Sequence, residues 1–546
     1  MSLKPAMFQA SMTQTGAEVK HPCFKTKNPD RELENHISKN VSFFTSIDRV
    51  LVFFDKFMLT FAMWPIRCAA CRARGVRGQR MRKQILVLAT ALTAASCAST
   101  PDFQAGEVLP EAPQSWAALP QQEGMEASRD WIASLGAAEL APFVEEAFRA
   151  NPSLAQSLAR YDAALASARI SGASRLPTLN ASTDYTRTER NVGAGSESFS
   201  LGLASSWEAD LWGRVRNTAN ASGLDAAASE QDLRGAQLSI AGQVARAWFS
   251  LIEARLQTEL AQRDFETQRD TLALTERRFA RGLVRSSDVR TARSSVASAE
   301  ATLASRRRNE AASARTLETL LGRYPAARIA RDGEMPDMGD LGYIGSPEDL
   351  LTRRPDVVAA ERRLEAAGLR VDAARAALYP SLTLSASAGS GGPDASDLLD
   401  MDTLVSTLVG SIAQPIFQGG RLRAQVDQAE ANAEQAIAAY VETVLTAWRE
   451  AENAIYADQI LAQRVDSLEQ AFQEAAEAEA LVTRQYARGV ATIFDLLNAY
   501  SRRISAESQY ISAHRDRATN RVDLYLAIAG DFVVAGAPAP TTLTGE

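Results

Sequence analysis

Residues 277–289 read RRFARGLVRSSDV, and residues 484–496 read RQYARGVATIFDL. Each segment carries a glycine followed six residues later by an aspartate, and each lies between two long stretches without proline. Glycine permits the positive φ that ends a helix, and an acidic residue in the first turn stabilises the next helix. Both segments therefore predict a sharp turn between two antiparallel helices.

The two turns are part of a longer internal similarity. Gly282 and Gly489 are 207 residues apart, and so are WGRVR at 212–216 and GGRLR at 419–423. Two proline pairs have a spacing of 203: Pro152 with Pro355, and Pro177 with Pro380. These constant offsets predict a two-fold repeat, with one half at 141–322 and the other at 355–530.

The sequence of each half predicts the same order of elements: a helix, a β-hairpin, a long helix and a return helix. Strict alternation of Leu382, Leu384 and Ala386 with Thr383 and Ser385 predicts a strand with one apolar face. A helix of about 65 residues would span roughly 100 Å. The predicted bounds are hairpins at 178–208 and 381–413, long helices at 216–280 and 423–487, and return helices at 288–322 and 493–529.

Composition argues against an enzyme and against a nucleic-acid binder. The chain has three histidines, and all four cysteines lie at or before Cys97, which leaves almost no material for a metal site or a Ser-His-Asp relay. The net charge of −7 includes +7 from residues 1–80 and +2 from Arg82 and Lys83, which leaves −16 on the rest. So acidic a body is a poor partner for nucleic acid. We expect no cofactor and no metal.

The amino-terminal region carries a targeting pattern away from the start of the chain. MRKQILVLATALTAASC at 81–97 has the basic, apolar and small-residue regions of a signal peptide, predicted here as 81–96. Its end resembles a bacterial lipobox, which predicts lipidation of Cys97; cleavage of an ordinary signal is the alternative. Because a signal acts at a chain start, we hypothesise that residues 1–80 are a non-native extension. Three further segments are predicted to be irregular: 97–140, the linker 323–354, and a disordered tail at 531–546.

The four predicted strands have the length needed to cross a bilayer. Four strands cannot close a membrane barrel, because lipid does not tolerate open sheet edges. Either the hairpins pack on a soluble structure, or several chains pool their strands. Trp207, Trp212 and Phe417 lie where strand changes to helix, either as an aromatic girdle or as packed anchors of the junction.

The order of these features resembles the outer-membrane efflux protein family, the TolC/OprM-like channels, and in particular its lipoprotein, NodT-like branch. The motifs that carry the resemblance are NPSL…PTL, RPDV…YPSL, EADLWGRVR at 208–216 and the two turns. The resemblance implies an α+β membrane protein: a homotrimer whose 12-stranded outer-membrane β-barrel, with four strands per chain, continues into a long periplasmic α-helical coiled-coil barrel.

The resemblance also implies a function and a location. The chain would be a passive exit duct for drugs or other small solutes, working with a periplasmic membrane-fusion adaptor and an inner-membrane RND transporter. It would be lipid-anchored in the outer membrane of a Gram-negative bacterium and extend into the periplasm. The outer-membrane conduit of a type I (ABC) protein secretion system is the alternative.

By the same resemblance, the two turns lie at the periplasmic end of the duct. Many relatives carry an acid nine residues after the second turn glycine, where this chain has Asn498, and Asp495 lies at position six instead. The predicted gate residues are Tyr486, Arg488, Asp495 and Asn498. The predicted adaptor-contacting residues are Arg278, Arg281, Gly282, Arg285, Asp288, Arg484 and Gly489.

Overall fold

The computed structural model describes residues 111–119, 131–135, 139–329 and 334–528, which all belong to one unit within Ser99–Glu546. The predictions for the extension 1–80, the signal peptide 81–96, Cys97 and the tail 531–546 lie outside the described residues.

The described residues form long helices and one small sheet. The helices are α1 Trp131–Ser134, α2 Leu140–Ala150, α3 Pro152–Ala173, α4 Arg214–Ala280, α5 Ser286–Leu320, α6 Pro347–Arg353, α7 Pro355–Ala376, α8 Arg421–Arg488 and α9 Ile493–Ala527. The strands are β1 Thr178–Thr188, β2 Ser196–Ala209, β3 Ser381–Gly392 and β4 Val405–Ala413.

Each long helix begins two residues before its predicted start, and in both cases the helix start directly follows a glycine. Gly213 precedes α4 at a φ of +79°, and Gly420 precedes α8 at +84°. At α4, the Asp210 carboxylate accepts the backbone N–H groups of Val215 at 3.2 Å and Arg216 at 2.8 Å. These bonds satisfy donors that have no partner in the first helical turn.

The four strands form one antiparallel sheet in the order β1-β2-β3-β4. Direct cross-strand partners share a face, and the register links Leu179 to Ser205, Ser205 to Ala386, and Ala386 to Leu408. Because side chains alternate along a strand, one face of the sheet is mainly apolar and the other mainly polar. The apolar face includes Leu179, Tyr185, Leu201, Leu203, Trp207, Leu382, Leu384, Leu408 and Ile412. The polar face includes Asn180, Ser182, Asp184, Ser200, Ser206, Thr383, Ser385, Ser387, Thr407 and Ser411.

The short helices pack beside the long ones. Helix α7 makes extensive contacts with both α4 and α8, whereas α3 makes them with α4. Each long helix also packs against its return helix, α4 with α5 and α8 with α9. The largest fully buried side chains in this bundle include Phe249 of α4 and Ile455 of α8.

The segment between the two halves is held by buried carboxylates. Glu318, only 2% exposed, accepts the backbone N–H groups of Ala327 at 2.7 Å and Arg328 at 2.6 Å. Burial raises the pKa of the Glu318 carboxyl, but the N–H donors of residues 326–329 outweigh it and hold that pKa below its ordinary value. The second contact joins Asp458 to Arg521, both about 5% exposed, and Arg521 also donates to the Gly339 carbonyl at 2.9 Å.

The predicted irregular linker 323–354 contains a helix, so that prediction was wrong over Pro347–Arg353. Ser346 caps this helix: its hydroxyl accepts the Asp349 N–H at 3.2 Å, and the Asp349 carboxylate accepts the Ser346 N–H at 2.9 Å. A capping box followed by proline at the first helical position favours helix over coil even in a seven-residue segment.

The described ranges contain neither a membrane-spanning helix nor a metal-binding cluster. No described helix combines the length and apolar character needed to cross a membrane. No group of three or more His, Cys, Asp or Glu side chains with metal-binding spacing occurs there either.

Candidate functional site at the paired helical turns

The two turn motifs close their long helices with the same hydrogen bonds. After α4, Gly282 lies at a φ of +72° and Leu283 N–H donates to the Arg278 carbonyl at 3.0 Å. After α8, Gly489 lies at +81° and Val490 N–H donates to the Gln485 carbonyl at 3.0 Å. Both are Schellman-type ends, in which a glycine adopts the left-handed conformation that other residues avoid.

An aspartate in the first turn caps each return helix. The Asp288 carboxylate accepts the Arg285 N–H at 3.1 Å. At the second turn, Asp495 accepts the Thr492 N–H at 2.9 Å and the Thr492 hydroxyl at 2.6 Å, while Thr492 accepts the Asp495 N–H at 3.2 Å. The Thr492 hydroxyl and then its backbone N–H lower the pKa of the Asp495 carboxyl. Both aspartates therefore have a capping role.

Tyr486 lies inside the subunit, at 3% exposure, against the first long helix. Its hydroxyl is 3.0 Å from Thr275 Oγ1, and Thr275 itself donates to the Thr271 carbonyl at 2.8 Å. Since the Thr275 proton is used in that second bond, Tyr486 is the donor of the first. Above them, Thr271 Oγ1 lies 3.3 Å from the hydroxyl of Tyr500. Thr271, Thr275, Tyr486 and Tyr500 thus bring four hydroxyl groups together in two close pairs.

Arg278 adds a second connection between the two turns. Its Nη1 donates to the Tyr486 carbonyl at 2.8 Å, and its guanidinium carbon lies 4.9 Å from the centre of the Tyr486 ring. A guanidinium at this distance from an aromatic face is attracted by the ring as well as by the carbonyl. Arg278 and Tyr486 therefore join the two helical turns within one chain.

The remaining predicted site residues are distributed over the surface of the turns. Asp288 is half-buried, and the exposed residues are Arg281, Gly282, Arg285, Arg484, Arg488, Gly489, Asp495 and Asn498. Large apolar side chains are exposed among them, and sequence reasoning missed these: Leu283 at 64%, Val490 at 78% and Phe494 at 64%. The turns therefore leave both apolar side chains and arginines open to solvent.

Sequence reasoning also missed the partners of Tyr486. Thr271 and Thr275 are spaced i, i+4, which places them on one helix face, but nothing local indicates which distant hydroxyl they meet. Ile493, Leu496 and Tyr500 complete a small apolar core around Tyr486. The structure assigns Tyr486 to contacts within the subunit, whereas Asp495 and Asn498 face solvent.

The three predicted interface aromatics lie at the junction of strand and helix with different surroundings. Phe417 is 87% exposed and Trp207 36% exposed, and Trp207 donates to the Arg175 carbonyl at 2.9 Å. Trp212 is half-buried, donates to the Pro380 carbonyl at 2.7 Å and stacks on Tyr379 with ring centres 5.0 Å apart. Trp212 is therefore a packed anchor, while Phe417 presents an open apolar surface.

Comparison with known proteins identifies the family. Residues 143–323 and 346–530 match the family model described as outer membrane efflux protein. Outer membrane protein OprJ of Pseudomonas aeruginosa is 32% identical over 462 residues, which cover 82% of this chain and 96% of OprJ. Solvent efflux pump outer membrane protein SrpC of Pseudomonas putida is 31% identical over 383 residues, which cover 67% of this chain and 80% of SrpC.

Solved structures give the same result. The outer-membrane channel OprN superposes with a TM-score of 0.73 at 28% identity, over 80% of this chain and 99% of that one. The open state of the Neisseria gonorrhoeae MtrE outer membrane channel superposes with a TM-score of 0.70 at 29% identity, over 81% of this chain and 100% of that one. The resemblance to the TolC/OprM-like channels is thus confirmed, and the chain belongs to the outer membrane efflux protein family, whose members lie in the outer membrane of Gram-negative bacteria.

Proposed function

We propose that three copies of the chain assemble into the exit duct of a tripartite efflux system, with a periplasmic adaptor and an inner-membrane RND transporter. The duct carries no chemistry of its own: solute moves through it passively, and the pump supplies the energy. Residues 98–530 provide the duct, and a lipid on Cys97 would add a membrane anchor.

The observation that carries this proposal is a sheet with two unpaired edges and two chemically different faces. Among the described residues, β1 and β4 each pair with one strand, and every residue of both is exposed in the single chain. A lipid-embedded sheet must pair all of its edges, so β4 of one copy would pair with β1 of the next. Three copies supply twelve strands, with the apolar face toward lipid and the polar face toward the lumen.

The helices extend the same assembly away from the membrane. The two halves have matching helices of 22 and 22, 67 and 68, and 35 and 35 residues, which supports the duplication inferred from the sequence. Two helical hairpins per copy give six in a trimer, enough to line a duct about 100 Å long at 1.5 Å per residue. The turns with Arg281, Arg285 and Arg484 would bind the adaptor, and Arg488, Asp495 and Asn498 would line the gate.

The names of the relatives support small organic solutes as the cargo of the duct. Relatives are named for pyoverdine export, solvent efflux and antibiotic efflux. Export of a polypeptide, the type I alternative, has no such support among these names.

The test is deletion of the gene with growth profiling on antibiotics, organic solvents and detergents. The expected result is increased sensitivity to at least one small-solute class, restored by the wild-type chain. Unchanged sensitivity together with loss of a secreted polypeptide would establish the type I alternative instead. Light scattering in detergent provides the second measurement, because a monomeric mass for the purified chain would exclude the shared barrel.

A further inference from the structure

A solvent-open cavity of about 530 Å³ lies between α4 and the two return helices, α5 and α9. Helix α4 packs against both return helices, whereas α5 and α9 make no extensive contact with one another. Helix α4 therefore forms the floor of the cavity, and the return helices form its walls. We call it the α4 cavity, and its floor carries Gln257, Leu260, Ala261, Asp264 and Gln268.

The floor holds a buried amide and a carboxylate with few partners. Gln268 is 8% exposed, and no described residue donates a hydrogen bond to its Oε1 atom. Its Nε2 donates to the Asp264 carboxylate at 3.2 Å, and that carboxylate forms no ion pair and no further hydrogen bond with the described residues. Buried polar atoms are nearly always hydrogen-bonded, so the floor has acceptor capacity that the chain itself does not satisfy.

The charge of Asp264 is also uncompensated. Burial raises the pKa of the Asp264 carboxyl, although the Gln268 amide and the charge of Arg503 act in the opposite direction. Arg503 itself donates to Glu479 and Glu507 and forms no contact with Asp264. A positively charged donor placed in the cavity would therefore stabilise the ionised carboxylate.

The walls carry hydroxyl groups at equivalent positions of the two halves. Ser294 and Ser298 of α5 line the cavity, and adding the offset of 207 gives Ser501 and Ser505 of α9, which line it too. Residues spaced i, i+4 share a helix face, so two matching serine pairs border the cavity from opposite sides. Each hydroxyl oxygen can accept a hydrogen bond from an N–H group.

The repeat also shows that the polar pair on the floor is not required to build a long helix. The positions of α8 that correspond to Asp264 and Gln268 are Ala471 and Ala475. Alanine has the highest intrinsic helix propensity, so the carboxylate and the amide of α4 offer the helix no advantage. Their place in the cavity points to a ligand instead.

The cavity opens on the side of α4 that faces away from the linker. Linker residues border a different cavity, which α4 lines with Arg255, Glu259 and Arg263. At 3.6 residues per turn, that set and the set of Gln257, Asp264 and Gln268 lie roughly 160° apart around the helix. Three linkers inside the proposed duct would obstruct the solute, so the linkers would lie outside and the α4 cavity would open toward the lumen.

We propose that the α4 cavity binds a solute that carries one protonated amine as it passes through the duct. This inference rests on the proposed function, and it names a class of cargo and the place where that cargo binds. The amine would donate to the Asp264 carboxylate and the Gln268 amide oxygen, and the serine hydroxyls would accept its remaining N–H groups. Leu260, Leu497 and Ile504 line the same cavity and would contact the carbon skeleton.

Arg306 restricts the charge of the ligand. Its side chain lines the same cavity, and it forms no ion pair with the described residues. The guanidinium repels a second positive charge, which disfavours a polyamine. A divalent metal ion prefers several carboxylate or carbonyl oxygens, whereas one carboxylate beside one guanidinium suits a monoamine with a polar acceptor at its other end.

A fluorescent amine tests the site directly. Dansylcadaverine has one primary amine that is protonated at neutral pH, and its N-acetyl derivative is neutral. With the full chain in lipid nanodiscs, fluorescence anisotropy should show saturable binding of the amine and none of the derivative. Asp264→Asn should raise the dissociation constant about tenfold or more, because hydrogen bonds to charged groups are the strongest, and Gln268→Leu should raise it by less.

The matched control is Glu266→Gln, which removes the same charge from the same helix. Glu266 is exposed and accepts a hydrogen bond from Gln262, so this change should leave the dissociation constant unaltered. Equal weakening in Glu266→Gln, equal binding of the acetylated probe, or displacement of the probe by Mg²⁺ at constant ionic strength would overturn the amine site. Gln268→Leu keeps the test decisive if Asp264→Asn does not assemble.

Competition separates this inference from the proposed function. Growth profiling of the deletion strain identifies exported solutes without reference to the cavity. Exported solutes with a protonated amine should displace the probe from the wild-type chain, and exported neutral solvents should not. If no exported amine displaces it, the inference is overturned and the proposed duct stays in place. If deletion changes no sensitivity, the proposed duct is overturned and the inference with it.

Discussion

The hydrogen bond between Tyr486 and Thr275 predicts a loss of stability whose size depends on which partner is removed. Tyr486→Phe removes a donor, and Thr275 keeps its own bond to the Thr271 carbonyl. The cost should be that of one neutral buried hydrogen bond, about 0.5–1.5 kcal/mol. Thr275→Val leaves the Tyr486 hydroxyl buried without an acceptor, which costs about 1–3 kcal/mol.

These costs apply to the junction between the two helical turns. Tyr486→Phe should raise the population of separated turns by about 2- to 12-fold, and Thr275→Val by more, since 1.4 kcal/mol is a factor of ten. Amide hydrogen exchange of residues 486–500 measures that population directly. In the proposed duct, where the second turn would lie at the gate, single-channel recordings in planar bilayers are expected to show more frequent opening in the same order.

The double variant Tyr486→Phe with Thr275→Val tests whether loss of the hydrogen bond between these two residues causes both effects. With both partners apolar, the loss should be smaller than the sum of the single losses, because no buried donor is left unsatisfied. Tyr324→Phe is the matched control, since Tyr324 is 87% exposed and should change neither exchange nor conductance. Additive losses, or a larger effect for Tyr486→Phe than for Thr275→Val, would refute the assigned donor and acceptor.

Three further predictions concern stability. Arg521→Ala leaves the buried Asp458 carboxylate without its partner and should lower the unfolding free energy by about 3–5 kcal/mol. The control Arg464→Ala removes one member of an exposed pair and should cost less than about 1 kcal/mol. Chemical denaturation compares the two variants. Gly489→Ala forces alanine to a φ of +81° and should cost about 1–2 kcal/mol. The control Gly368→Ala places its new Cβ in open space and should be neutral or stabilising. Melting temperatures that fall equally in both variants would contradict the turn geometry. The folded-state pKa of Asp495 is lowered, so its cap stabilises the turn above the ordinary carboxyl pKa and is lost as pH falls through the lower folded value. Protection of the amides near the turn, measured relative to their intrinsic exchange rates, should therefore fall with acid in the wild type and stay flatter in Asp495→Asn.

The sequence was sufficient where the signals are local and periodic. The proline-free stretches predicted the long helices. Along α8, apolar positions are spaced alternately by four and three residues, and all of them except the half-buried Ile437 are buried: Ala433, Ile437, Tyr440, Val444, Ala447, Ala451 and Ala454. Alternation predicted strands with one apolar side, and the register of the sheet places those residues on one face. The roles proposed for the gate and adaptor residues stay predictions.

The sequence was insufficient where a contact joins distant parts of the chain. Tyr486 and Thr275 are 211 residues apart, and neither residue type specifies the other. The Arg278 contact with the Tyr486 carbonyl is similar, because a backbone acceptor carries no sequence signal. The helix Pro347–Arg353 is a different case, since its capping box and proline were present in the sequence.

Comparison of the two turns suggests how one motif came to form two kinds of contact. The offset of 207 relates Tyr486 to Phe279 and Thr275 to Val482. Tyr486 is 3% exposed, and Phe279 is 47% exposed. Because a buried phenol requires a hydrogen-bond partner and a phenyl ring does not, the presence of both hydroxyls at one junction and their absence at the other are physically linked. In the proposed ring, contacts within a subunit would carry the hydroxyl pair, and contacts between subunits would carry the apolar pair. Tyr486→Phe should therefore loosen the junctions within subunits and leave the junctions between them unchanged.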